Sequence, residues 1–522
     1  MPEYLHPGVY IEEIERGPRP IEGVATSTAA FLGETERGPT WPRLVTSYND
    51  YVRWFGGVFS PTKYMPYAVN GFFDNGGRRA YIARIVGKAA TKASRVFGDV
   101  LVEAVGPGSW AKERIYIKVG GGTITILGNN GPEPAGFRIQ VWYWSSFPTG
   151  GQPFDPTTDA NRTRLPRPIL AENFDDLSFD EASSDFFAKR INGNSSLITA
   201  SLKANPANPP QVAAGEGQLD QDGDDDPNAL NEDDFEGGAP RVDDRRGLEA
   251  LKLDQFRDIA LVYAPGITLT NALATQKKII THCEKERFRF AVLDCDANQG
   301  NPSDLDPRTD IQETQFAAFY YPWIEISDPQ SNARKKVPPG GHMLGIYART
   351  DVERGVFKAP ANEVVRGALD LEFKVDEGAQ DVLNPRGVNA IRKFPGRGIL
   401  LWGARTLSAN PLWKYVSVRR LFIFLEHSIY EGTQWVVFEP NDERLWARVK
   451  DTIRLFLRTQ WREGALMGTT EQQAFFITCD RTTMTQDDIL NGRLICEIGI
   501  APVRPAEFVI FRIFQNTAEA QT

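Results

Sequence analysis

The sequence predicts a multidomain protein of mixed α/β and α+β class, on three observations. Between about residue 245 and residue 408, strand-like runs alternate with helical ones (DIALVYAPG, ATQKKIITHCEKE, FRFAVLDCD), the order of helices packed on a mostly parallel sheet. From about 90 to 240 the strand-like pieces are short and separated by Pro, Asn, Ser and Asp, the texture of an inserted β-rich domain. From 411 onward two long helical patterns precede strand-like runs, an α+β arrangement. A length of 522 residues accommodates about two to four such domains.

Each element follows from its residues. In HPGVYIEEI, Val9 and Ile11 take one side of an extended run, Tyr10 and Glu12 take the other, and Pro7-Gly8 ends whatever precedes it. The arm after it, IERGPRPIEGV, spans about 35 Å if extended. VATSTAAFLG (24–33) predicts the first core strand, and Tyr51, Trp54 and Phe55 mark an amphipathic helix. Residues 66–87 read as helix, turn and strand: Asn75-Gly76-Gly77 supplies the left-handed backbone of a helix end, and YIARIV alternates. IYIKVGGGTITILG and FRIQVWYW predict strands, with the Gly-rich stretch 120–131 turning between alternating runs as a β-hairpin.

The acidic tract QLDQDGDDDPNALNEDDFEGG is expected to be a solvated loop or linker. GHMLGIYARTDVERGVFKAPANE and GRGILLWGARTL continue the α/β layer to about 408. YVSVRRLFIFLEHSIYEG and NDERLWARVKDTIRLFLRTQWREGA predict helices, QQAFFITCD a strand and AEFVIFRIFQ a closing strand.

Composition excludes several classes. The chain is 41% hydrophobic and 24% charged, as soluble globular proteins are, and no apolar run approaches the length of a bilayer span. Glu3, Glu12, Glu13 and Glu15 stand where a secretory signal carries positive charge, so the expected location is the cytoplasm. Residues 216–244 hold twelve acidic residues and one basic, a balance of −11 that leaves +2 for the remainder of a chain whose formal charge is −9. Cys283, Cys295, Cys479 and Cys496 form no CxxC and read as small buried side chains, with no disulfide expected.

Catalytic and metal-binding patterns are missing. His6, His282, His342 and His427 lie in unrelated contexts, and the sequence contains no HExxH, GxSxG or GxxxxGK[ST]. Asp222, Asp224 and Asp226 resemble the start of an EF-hand, but Pro227 occupies the glycine position and Asp233 replaces the bidentate Glu. No cofactor or metal is expected.

Two features remain. Phe508, Ile510, Arg512 and Phe514 alternate with Val509, Phe511, Ile513 and Gln515, so the last strand is apolar on nearly both faces and needs cover: either the chain's own sheet or another copy's. In the helix from Asp442 to about Glu463, Leu445, Trp446, Val449, Ile453, Phe456 and Leu457 share one side, while Arg444, Arg448, Lys450, Arg454, Arg458 and Arg462 share the other with Asp451 as their one acidic neighbour in that span. This stripe is either an ordinary solvated face or the contact for an anionic partner; an acidic protein surface suits it better than nucleic acid, because the chain as a whole is acidic.

PGVYIEEI, IEGVATSTAAFLGETERGP (21–39), FFDNGGRRAYIARI (72–85) and the run from PLWKYVSVRRLFIFLEHSI to LICEIGIAPVRPAEFVIFRIFQ (411–515) resemble the tail sheath proteins of contractile bacteriophages and phage-like injection systems. The resemblance implies a linking arm at 1–23, the first part of the core at 24–90, an outward insertion at 91–244, a subtilisin-like α/β domain without a catalytic triad at 245–408, and a C-terminal sheath domain at 409–522. It implies sheath-to-sheath linking by Val9, Tyr10, Ile11, Phe508, Val509, Ile510, Phe511 and Ile513, and inner-tube contact by Lys450, Arg454, Arg458 and Arg462.

The implied partners are copies of the chain in stacked hexameric rings, an inner tube protein, and baseplate and terminal cap proteins, with no nucleic acid and no membrane insertion. The implied action is contraction from a metastable extended state that drives the tube through a target envelope. Phage tail, bacteriocin and injection device stay open as the particle, the opening forty residues leaning toward the phage-like injection systems. A peptidase-like hydrolase using the central α/β domain is the alternative.

Overall fold

The computed structural model describes residues 20–128, 131–147 and 151–512. It divides into two compact units: Ala25–Arg354 with Lys358–Val416, and the described residues of Met1–Val24, Gly355–Phe357 and Ser417–Thr522.

The larger unit is built on a nine-stranded sheet. Its elements from the first part of the chain are β1 (Ala29–Gly33), β2 (Arg43–Val45), α1 (Tyr48–Phe55), α2 (Met65–Asp74) and β3 (Ala80–Arg84). Ser47 caps α1 by accepting from the Asp50 N–H at 3.1 Å, and Tyr51, Trp54 and Phe55 are its buried face, as their spacing predicts. After α2, Gly76 takes φ +110°, the left-handed conformation expected of Asn75-Gly76-Gly77.

The chain then leaves the sheet to form the β-rich insertion. One of its sheets contains β4 (Ile115–Gly121), β7 (Phe137–Tyr143), β8 (Leu170–Leu177) and β9 (Gly215–Gln218), in the order β8-β7-β4-β9; β5 (Thr125–Gly128) pairs only with β6 (Gly131–Pro134). The Gly-rich stretch is therefore the tip of a long hairpin, because β4 pairs antiparallel with β7 beneath it. A three-stranded sheet of Ile198–Leu202, Val100–Ala104 and Ser94–Phe97 shares the insertion's own core.

Most of the acidic tract is an exposed surface loop, as its composition predicts, but it is anchored at several points. Asp225 accepts from the Ser109 N–H at 3.1 Å and Asp226 from the Ala89 N–H at 2.9 Å. Asn231 and Asp234 form a capping box on α3 (Glu232–Glu236), and Phe235 of that helix is buried in the core of the large sheet. These carboxylates cap backbone donors, a role that composition does not register.

The chain returns to the sheet through β10 (Leu261–Tyr263), α4 (Leu269–Glu286), β11 (Phe290–Asp294), β12 (Ala317–Tyr321), α5 (Gly340–Arg354), β13 (Glu363–Val364), β14 (Val388–Phe394) and β15 (Gly398–Leu401). Strand order is β13-β15-β14-β12-β11-β10-β1-β3-β2. The six strands from β14 to β3 run parallel, and the outer three each pair antiparallel with their inner neighbour. The alternating pattern from 245 thus gives the predicted mostly parallel sheet, completed by β1 and β3 from the first ninety residues. β1, β10, β11 and β12 are buried at every position, as strands covered on both faces must be. On one face Ile279, Ile280 and Cys283 of α4 meet Val262 and Leu293; on the other, Phe31 stands edge-on to Phe72 of α2 at 5.5 Å and to Tyr263 at 5.9 Å.

The smaller unit holds α6 (Val416–Gly432), α7 (Glu443–Arg462), α8 (Glu471–Ala474), β16 (Phe475–Thr478) and β17 (Glu497–Ile500). Asp442 caps α7 through the Leu445 N–H at 2.8 Å, and all six apolar residues read from its periodicity are buried. They pack with Ile21, Val356, Leu421 and Leu425. The expected closing strand AEFVIFRIFQ joins no β-ladder among the described residues, of which 503–512 are in neither strand nor bridge.

Candidate functional site

Strand-exchange chemistry needs a donor and an acceptor, and the smaller unit supplies candidates for both. β16 and β17 pair antiparallel, Phe475 opposite Ile500 through Thr478 opposite Glu497, in a sheet of two strands. A two-stranded ladder is marginal alone, and each strand here presents an outer row of backbone N–H and C=O groups with no strand partner among the described residues. Alternation buries Phe475 on the core and leaves Phe476 at 59% exposure. The Phe476 ring lies on the backbone of Gly499, where a Cβ would meet ring atoms at 2.0 Å, so position 499 admits glycine alone without moving the ring.

The chain beyond β17 is held by backbone hydrogen bonds as far as Val503. The Met467 N–H donates to the Ala501 carbonyl at 2.8 Å and the Val503 N–H to the Ala465 carbonyl at 3.1 Å. Past that point Phe508, Val509, Ile510 and Phe511 are 70%, 68%, 78% and 85% exposed. Val9, Tyr10, Ile11 and Ile513 lie outside the described residues.

The basic residues of α7 are less free than their spacing implies. Glu471 of α8 reaches across: Oε1 accepts from Arg454 Nε, and Oε2 from Arg458 Nη2 at 2.8 Å and Nε at 3.0 Å. Arg454 foremost, then Arg458, holds the Glu471 carboxyl below the usual carboxylate range. Arg448 pairs with Glu439 at 3.0 Å. Lys450 is half-buried, and its charge is felt by Cys479, Cys496 and Asp480. Arg462 is exposed. A helix examined alone looks nearly purely cationic; the compensating carboxylates come from other segments, beyond the reach of a periodicity argument. Strand β17 was equally hidden in ICEIGIA, a short run with a charge and a glycine inside it.

The two histidines of the larger unit are both buried. His282 faces Arg289 Nη1 at 2.6 Å, and burial holds it neutral. His342 packs over Gly71, its pKa pushed down to about 4 by burial. Among the described residues neither is hydrogen-bonded to a serine, threonine or cysteine. A cleft of about 550 Å³ opens at the carboxyl ends of β1, β3 and β10, where α/β sheets commonly hold ligands. Its charges answer one another: Lys63 pairs with Glu34, Arg114 with Glu36 at 3.2 Å, and Asp225 with Ser109.

Family models match most of the second half of the chain. The phage tail sheath protein central domain matches residues 244–407 and the phage tail sheath C-terminal domain residues 408–516, together more than half of the sequence. A prophage major tail sheath protein of Pseudomonas aeruginosa is 27% identical over 290 residues, 53% of this chain and 71% of that protein. The tail sheath protein of Burkholderia phage BcepMu is 22% identical over 89% of this chain and 88% of its own length.

Among solved structures, the PVC sheath complex of an extracellular contractile injection system in its contracted state superposes with a TM-score of 0.60 at 22% identity, covering 99% of this chain and 100% of that one. The anti-feeding prophage helical sheath in its contracted state gives 0.57 at 23% identity, over 98% and 99%. The chain belongs to the contractile phage tail sheath family.

Proposed function

We propose that this chain is a structural subunit that polymerises as stacked hexameric rings around an inner tube and contracts from a metastable extended state to drive the tube through a target envelope. The observation that carries the reading is the open β16–β17 ladder in the same compact unit as an exposed, strand-patterned segment that leaves it at Val503. Each copy would lend Phe508–Phe511 and Ile513 at one end, and Val9–Ile11 at the other, to the open ladders of neighbours, where backbone pairing gives affinity and alternate side chains give register.

The arm between Ile14 and Val24 supplies the reach. Links of this kind stay joined while the bodies move, so contraction rearranges rings without dissolving the mesh. The exposed arginines of α7, with the net positive charge left by the Glu471 clamp, would register the sheath on an acidic tube surface. Such contacts contribute about 0.2–1 kcal/mol each, enough in number to align two cylinders and weak enough to break together. The central region 245–408 serves as a subtilisin-like scaffold without catalysis, and the 91–244 insertion faces outward. Baseplate and terminal cap proteins bound the cylinder, which assembles in the bacterial cytoplasm and is released by lysis.

Removing residues 1–20 tests the reading. The truncated chain is expected to keep the circular dichroism and thermal transition of a folded protein and to form no tubes in negative-stain electron microscopy. Long tubes from the truncated chain would refute arm exchange.

A further inference from the structure

The open ladder ends on two thiols. Because Thr478 lies opposite Glu497, antiparallel register makes Cys479 and Cys496 the next residues to face each other. Opposed residues in such a ladder have Cα atoms about 4.5–5.5 Å apart, within the ~4.4–6.8 Å range that a disulfide spans. Each thiol is close enough to influence the other's ionisation, and the two are not joined. Cys479 is buried and Cys496 half-buried, with Met484, Ile489 and Leu494 of the intervening loop in the same cluster. Cys283 and Cys295 are buried in the other compact unit.

We propose that Cys479 and Cys496 form a modification site, a cross-strand dithiol that a small disulfide such as oxidised glutathione converts to an intramolecular disulfide stapling β16 to β17. The more accessible Cys496 reacts first: its thiolate attacks one sulfur of the oxidant, making a mixed disulfide and releasing one glutathione thiolate. The Cys479 thiolate then attacks the Cys496 sulfur and releases the second. Two protein thiols are oxidised by two electrons, the oxidant's S–S bond is broken, and the two protons end on two glutathione thiols. Burial pushes the Cys496 thiol up to about 12 against the pull of Lys450, so the exchange is slow and the pair stays reduced in a reducing compartment.

The test uses the full chain, incubated with oxidised glutathione, then alkylated in denaturant and weighed. The expected result is a chain about 2 Da lighter before alkylation, two cysteines protected, a 479–496 cross-link on peptide mapping, and a thermal midpoint raised by about 5 °C and restored by reductant. Cys496→Ser should show no internal cross-link. The proposal is overturned if all four cysteines stay alkylatable after an exposure that oxidises the unfolded chain, if the link involves Cys283 or Cys295, or if oxidation stops at a glutathione adduct. The mass and the peptide map report on a single chain, so they are independent of whether copies polymerise.

Discussion

Asp294 sits at the end of β11, fully buried, accepting from the Tyr263 hydroxyl and from the Gly340 N–H at 2.9 Å at the start of α5. Burial pushes its pKa from 3.8 to about 7. Between those values the folded state keeps a proton that the unfolded chain has lost, so this contribution to stability is complete below the unfolded value and disappears as pH rises toward 7. Asp294→Asn, which cannot ionise, should therefore gain on the native protein across that interval by a few kcal/mol, about 1.4 per unit of pKa; urea titrations at pH 4.5 and 7.5 measure it, and a difference that does not change with pH would be wrong for a buried carboxyl. Gly499 is constrained differently. Gly499→Val must swing the exposed Phe476 ring aside or open the ladder; because the ring can move into solvent, the cost should stay below about 1 kcal/mol, and a larger fall in the urea midpoint would mean that the ladder opens.

Helix α7 shows what periodicity can and cannot reveal. Its buried face was legible residue by residue, because 100° spacing alone sorts Leu445, Trp446, Val449, Ile453, Phe456 and Leu457 onto one side, and Ile453→Ala should cost about 2–5 kcal/mol in denaturant unfolding. Its charged face was legible only in part. Glu471 is far from Arg454 in sequence and meets it because α8 folds back, a contact that no window along the helix contains. The anchoring of the acidic tract was illegible for a related reason: composition registers its carboxylates but not the backbone donors that Asp225, Asp226 and Asp234 accept from. The parallel sheet was readable from strand and helix alternation, whereas β17, with Glu497 and Gly499 inside it, lacks the continuous apolar pattern that identifies a strand.

Arg454→Glu combined with Arg458→Glu should keep the fold but lower the unfolding midpoint, because Glu471, 16% exposed, loses both partners and meets two like charges, while weakening co-sedimentation with the inner tube. Undiminished co-assembly would remove these residues from the tube interface.

At the scale of the whole molecule, a sheath subunit has to be stable as a body and incomplete as a surface. The larger unit answers the first need with a nine-stranded sheet covered on both faces; the smaller answers the second with two paired strands and an apolar segment left outside. Under the proposed strand exchange such a chain would gain its remaining β-structure from other copies, which would link folding to polymerisation by mass action. The direct measurement is a cryo-electron microscopy reconstruction of the polymer formed by the full chain. The β16–β17 ladder should be extended by Val9–Ile11 and Phe508–Ile513 of neighbouring copies; a ladder completed by the ends of its own chain would contradict the strand exchange on which the proposed mesh depends.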